Sequence, residues 1–306
     1  MKLLLKNLLL CAALIGGTVA CRGKVPEQAP KTIEPQTQTT LAPTAPPQQV
    51  DTLVVHSAKM GRDIKNLVVL PEQYFTNGDE RFNVVYLLHG YDGDFTNWNN
   101  HCKSPTLSQL ATRFNIIIVC PDGQDAWYID SPINPKSQFA TYMTRELLAA
   151  VDSTFRTNAN AKGRAITGLS MGGHGALYLA FSHPELYGSC GSMSGHVNLT
   201  YYEKFRKSWK LPTVLGAYNE ATWRKYTARN LVSTLKPGQL NIIFDDGFND
   251  IFYDANVELH QALLKAGIDH KWTARPGKHS WNYWIASLPE HLTFFDQAFN
   301  PSHVPQ

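Results

Sequence analysis

One serine stands in a setting suited to nucleophilic chemistry. Gly168-Leu169-Ser170-Met171-Gly172 follows the short apolar run Arg164-Ala165-Ile166-Thr167 and precedes GGHGALYLAFSHP, which reads as a helix stopped near Pro184. Strand, sharp turn and helix form the context of a nucleophile elbow. The chain must double back within one or two residues, so the neighbouring positions must lack bulk. Gly168 and Gly172 meet that need, and Gly173 lets the helix approach the sheet. A serine in a Gly-rich turn is otherwise only a turn residue. The flanking strand and helix are what give Ser170 its chemical reading.

A lone serine hydroxyl is a poor nucleophile. It needs a histidine to accept its proton and a carboxylate to orient that histidine. The expected chain order is serine, acid, histidine. His279, in Gly277-Lys278-His279-Ser280-Trp281 just after the last strand, is the best base. His174 is only four residues from Ser170 and is expected to line the pocket. His183 ends the elbow helix, and His260 and His291 read as solvated helix positions. His196 precedes every credible acid, and His270 lies at the wrong end of a strand. For the acid, Phe244-Asp245-Asp246-Gly247-Phe248-Asn249-Asp250 offers three aspartates. Asp250, just past the strand, is favoured over Asp246, with helix capping as its structural alternative. Two backbone N–H groups are needed for the developing oxyanion. Met171, at the start of the elbow helix, and Tyr91, after Leu88-His89-Gly90, are the expected donors. His89 is expected to support that loop.

These residues need a scaffold that gathers strand ends. FNVVYLLHG, FNIIIVCPDG, RAITGLS and LNIIFDDG are continuous apolar runs, as a sheet covered on both faces requires. HKWTARPG reads as a last strand, and LVVHSAKMGRDIKNLVVLPEQY as antiparallel strands at an edge. Helical patterns span residues 141–155 and 250–267, and a terminal helix lies around LPEHLTFFDQAF. The alternation predicts an α/β fold of the α/β-hydrolase type, with a mainly parallel central sheet and helices on both faces. Ligands of such sheets bind beyond the carboxyl ends of the strands.

At the N-terminus, Lys2 and Lys6 precede LLLCAALIGGTVA, too short for a membrane span but suited to a secretory signal. Thr18-Val19-Ala20-Cys21 resembles a lipobox, so residues 1–21 are expected to be a lipoprotein-type signal with Cys21 as the lipidated residue. An ordinary cleaved signal is the alternative. Residues 22–50, rich in Pro, Thr and Gln, read as a disordered tether. Residues 51–300 make one domain. Acyl chains on Cys21 imply a membrane as partner and an envelope location. Of five cysteines, Cys102, Cys120 and Cys190 fall in the domain, so at most one disulfide forms there. A formal charge of +3 without a basic run gives no sign of nucleic-acid binding.

YLLHGYDGDFTNW, IIIVCPDG, GLSMGGHGAL, DGFND and GKHSWNYW, in this order over residues 60–284, resemble the carbohydrate esterase family one and S-formylglutathione hydrolase group. DAWYID, GLSMGG and NDIFYDAN are most similar to bacterial tributyrin esterases. The group also includes feruloyl and acetyl-xylan esterases and mycolyltransferases. The resemblance implies a serine esterase without cofactor or metal, with Ser170, Asp250 and His279 as triad and Tyr91 and Met171 as oxyanion donors. Asp246 departs from the group, which usually has Cys there. Trp98, Trp127, His174 and Trp281 are candidates for contact with a small ester or acylated glycan. An acyltransferase using a sugar or lipid hydroxyl, and an inactive glycan-binding protein, are the alternatives.

Overall fold

The computed structural model describes residues 48–201, 203 and 209–301. The expected leader, Cys21 and the tether up to residue 47 lie outside the described residues. The described strands form an eight-stranded sheet in the order β1-β2-β4-β3-β5-β6-β7-β8. β1 (Val50–Ser57) and β2 (Arg62–Val69) are the antiparallel edge pair. β3 (Asn83–Leu88), β4 (Ile116–Pro121), β5 (Arg164–Gly168), β6 (Ser189–Met193), β7 (Asn241–Gly247) and β8 (Lys271–Arg275) run parallel.

Strand alternation divides the core between two faces. Val84, Tyr86 and Leu88 of β3 join one cluster, and Val85 and Leu87 join the other. On the first face pack α2 (Leu148–Thr154), α3 (Met171–Ser182) and α4 (Tyr253–Lys265), through Leu148, Leu177, Leu259 and their neighbours. On the second pack α1 (Leu107–Phe114) and α5 (Trp281–Phe299), through Leu107, Leu110, Leu288 and Leu292. Both faces are therefore dry, which is why β3 and β4 carry nearly unbroken Val, Ile and Leu.

Three local features go beyond what apolar patterning shows. β6 is a full core strand although its sequence, SCGSM, is poor in apolar residues. Close approach explains this: a Cβ on Gly191 would come within 2.5 Å of His291 Nδ1. A π-helical stretch, Tyr142–Leu147, leads into α2. α5 starts at Trp281, earlier than the apolar pattern suggested, so it follows His279 almost at once. Cys102, Cys120 and Cys190 are buried free thiols.

His291 corrects a sequence expectation. It is fully buried rather than on a solvated face. Its Nδ1 lies 2.9 Å from Thr167 Oγ1 and its Nε2 3.1 Å from Asp245 Oδ2. The same Asp245 oxygen accepts from Ser287 Oγ and from Arg275 Nη2. This network joins α5 to β5, β7 and β8. It fixes the helix that begins two residues after His279 to the strand that leads to Asp250.

Candidate active site

The turn after β5 puts Ser170 at φ 52° and ψ −115°, a conformation that L-residues rarely adopt. Strain of this kind persists only where surroundings over-determine it. Here Leu169 N–H donates to Leu88 O and Ser170 N–H donates to Met193 O, tying the elbow to β3 and β6. The glycines are required by contact: a Cβ on Gly168 would sit 2.7 Å from Leu88 O, and one on Gly172 would sit 2.5 Å from His89 O.

Ser170, His279 and Asp250 come together from three loops. His279 Nε2 is 2.9 Å from Ser170 Oγ. His279 Nδ1 is 2.9 Å from Asp250 Oδ2 and 3.0 Å from Oδ1. This fixes the tautomer: Nδ1–H donates to the carboxylate and Nε2 is free to accept the serine proton. The acid and base loops are bonded to each other, with Phe248 N–H donating to Arg275 O and Asn249 N–H to Gly277 O. Asp250 Oδ1 also accepts from Phe252 N–H at 2.9 Å. The residue at the N-cap of α4 is Phe252, so helix capping does not account for Asp250. The imidazole is held by ring edges, with Phe252 and Trp284 at centroid distances of 5.1 and 4.9 Å.

Asp246 is directed elsewhere. Its Oδ1 accepts from Gly247 N–H and its Oδ2 from Asn256 Nδ2, both at 2.8 Å. Burial, and next the nearby Asp250 charge, push its carboxyl up to about 9. At neutral pH it therefore holds a proton.

Met171 N–H is the first of α3 and has no acceptor within its own helix, while Gly90 and Tyr91 line the same cleft as Ser170. His89, beneath this loop, is buried, and burial depresses its basicity. Its Nδ1 donates to Gly90 O and its Nε2 accepts from Gly123 N–H, as a loop-supporting residue would.

The cleft holds about 610 Å³ and is lined by Tyr91, Asp92, Asn97, His101, Trp209 and Trp281 beside the central residues. Trp281 stacks on His101 with centroids 3.9 Å apart. Trp98, Trp127 and His174 do not line it. Trp98 is fully buried with Nε1–H on Leu88 O, because the ring fills the space beneath β3's end. Trp127 donates Nε1–H to Trp209 O and packs edge-on against His174, whose Nε2 meets Tyr226 O. Those three side chains are packing beneath and behind the site. Asp92, Asn97, His101 and Trp209 escaped the sequence reading. Only Asn97 and His101, one helical turn apart in the loop after β3, left a signal that could have been followed.

A seryl elbow with its base and acid, at the carboxyl ends of a mainly parallel sheet, defines an α/β-hydrolase fold of the serine hydrolase class. Residues 57–295 match the family described as "Putative esterase", and the chain belongs to that esterase family. It is a serine carboxylic-ester hydrolase. The acetyl esterase of Caldicellulosiruptor saccharolyticus is 24% identical over 216 residues, covering 67% of this chain and 80% of that protein. The S-formylglutathione hydrolase of Paracoccus denitrificans is 27% identical over 247 residues, 74% of this chain and 83% of the other. A solved ferulic acid esterase superposes with a TM-score of 0.69 at 24% identity, covering 82% of this chain and 98% of its own, a likeness of fold.

Proposed function

We propose that this esterase removes acetyl and other short acyl groups from carbohydrate hydroxyls outside the cytoplasm, through an acyl-enzyme on Ser170. The relay of 2.9 Å contacts from Ser170 to His279 to Asp250 carries the mechanism. His279 Nε2 takes the hydroxyl proton as Ser170 Oγ attacks the ester carbonyl carbon. Asp250 stabilises the imidazolium that forms. The Met171 and Tyr91 N–H groups receive the oxyanion. The carbonyl re-forms, the alcohol leaves with the proton from His279, and water repeats the sequence to release the acid.

Three things support the substrate and location. Trp209 and Trp281 line the cleft beside the polar Asp92, Asn97 and His101, a mixture of ring surface and polar groups that suits a sugar. One relative is named an acetyl esterase. The leader ending at Cys21 and the following Pro- and Thr-rich stretch favour a lipid-anchored envelope protein.

The test is a panel of p-nitrophenyl acetate, p-nitrophenyl octanoate, methyl ferulate and acetylated xylan, with and without an added sugar alcohol. Acetate release from xylan and preference for the short chain are expected. Preference for octanoate, or acyl transfer to the alcohol exceeding hydrolysis, would overturn the reading. Fractionation of cells expressing wild type and Cys21→Ala tests the anchor: wild type should sediment with membranes and the variant should not.

A further inference from the structure

The loop 122–128 is bonded to the oxyanion loop at three points. Gly123 N–H donates to His89 Nε2, and Tyr128 Oη donates to His89 O at 3.1 Å. Asp125 adds the third contact: its Oδ1 accepts from Asp92 N–H at 2.9 Å. Asp92 directly follows Tyr91 and is itself held at φ 57°. An aspartate tolerates the left-handed region better than most residues, and the bond from its N–H to Asp125 ties this turn to the neighbouring loop. Its other oxygen, Oδ2, lies 3.3 Å from Lys210 Nζ. Lys210 follows Trp209, which forms another part of the cleft lining, and its ammonium stands 5.7 Å from the Tyr91 ring centroid. Trp209 is bound from the same loop a second time, through Trp127 Nε1–H on its carbonyl.

We propose that Asp125 is a positioning residue that sets the Tyr91 N–H for the oxyanion and, through Lys210, fixes the Trp209 wall relative to it. One carboxylate thus performs two separable tasks. The Oδ1 acceptor holds the backbone after Tyr91 and acts on the chemical step. The Oδ2–Lys210 pair holds the wall and acts on substrate binding. The inference rests on the oxyanion reading given above, and Asp125 itself does not touch the reacting atoms.

The division of labour makes the test specific. In the full chain, Asp125→Ala removes both tasks, Asp125→Asn keeps an oxygen for Asp92 N–H but loses the ion pair, and Lys210→Gln loses only the ion pair. Asp125→Ala should lower kcat about 10- to 100-fold, since a misplaced oxyanion donor costs somewhat less than a deleted one. Its affinity for a trifluoromethyl ketone, which forms a tetrahedral oxyanion on the serine, should fall by the same factor. Asp125→Asn and Lys210→Gln should keep kcat within about threefold while KM rises about two- to fivefold, the range of an exposed ion pair. The double variant should be no worse than either single one. If Asp125→Ala does not fold, Asp125→Leu, which keeps the side-chain shape but has no acceptor for Asp92 N–H, takes its place with the same expected loss in kcat, and wild-type kcat in it would equally overturn the proposal. Asp125→Ala with wild-type kcat, Asp125→Asn as impaired as Asp125→Ala, or unchanged KM in both charge variants would overturn the proposal. A wild-type protein that hydrolyses esters but ignores the ketone would overturn the oxyanion reading as well.

Discussion

Replacing Asp250 by Asn separates the two carboxylates of the acid loop. In the native site both Asp250 oxygens face His279 Nδ1, at 3.0 and 2.9 Å, and Oδ1 also takes the Phe252 N–H. An amide has only one oxygen. If that oxygen stays on Phe252 N–H, the amide NH₂ meets Nδ1, and two donors face each other. The imidazole relieves the conflict by moving its proton to Nε2. Nε2 then donates toward Ser170 Oγ and has no lone pair to take the hydroxyl proton. General-base catalysis is lost while the fold stays intact, as expected for a near-isosteric change. The loss should be about 10³- to 10⁴-fold in kcat, or roughly 4–5.5 kcal/mol of transition-state stabilisation. KM should change little, because the Asp250 side chain is covered and His279 is the side chain that meets the cleft. The assay is kcat and KM on p-nitrophenyl acetate near pH 7.5, with circular dichroism to confirm folding. An Asp250→Asn enzyme within tenfold of wild type, or an Asp246→Asn enzyme more impaired than it, would refute the assignment of the acid.

The protonated Asp246 predicts a pH dependence of stability. Its folded-state value, about 9, lies above the ordinary 3.8, so the folded form keeps a proton that the unfolded form releases. Stability from this group is full below about pH 4 and is lost as pH rises toward 9, at up to about 1.4 kcal/mol per pH unit. Urea unfolding at pH 6 and pH 8.5 should show wild type weakening relative to Asp246→Asn as pH rises; parallel behaviour of the two proteins would contradict this. His291→Ala should cost about 2–4 kcal/mol, because it leaves Thr167 and Asp245 each short of a buried partner. The unfolding midpoint in urea reads that cost, and a loss under 1 kcal/mol would speak against the network. Gly172→Ala should drive a methyl against His89 O and displace the oxyanion loop, lowering kcat by at least about tenfold. Unchanged kcat would show that the close packing there is not needed.

The central strands and the triad were legible for related reasons. A dry parallel sheet demands unbroken apolar runs, and an elbow demands glycines at fixed offsets, so both leave local marks. Asp250 and His279 could be placed because the fold dictates which strand ends meet Ser170. β6 left no such mark: its Gly191 and Ser192 are small because His291 and α3 press on them, a tertiary demand. The cleft walls were equally hidden. Trp98 and Trp281 are the same residue type near similar loop ends, yet one ring fills the core and the other faces the cleft. Only the packing of α5 against the loop after β3 decides between them. His291 misled because a helical position alone does not tell which face meets a buried carboxylate.

The central claim is that Ser170 forms a covalent acyl-enzyme. Intact-protein mass spectrometry during turnover of a slow p-nitrophenyl ester, followed by peptide mapping, addresses it directly. A single adduct with the mass of the acyl group should appear on Ser170, and it should be absent from Ser170→Ala together with hydrolysis. Hydrolysis that persists in Ser170→Ala, or an adduct mapped to another residue, would contradict the account.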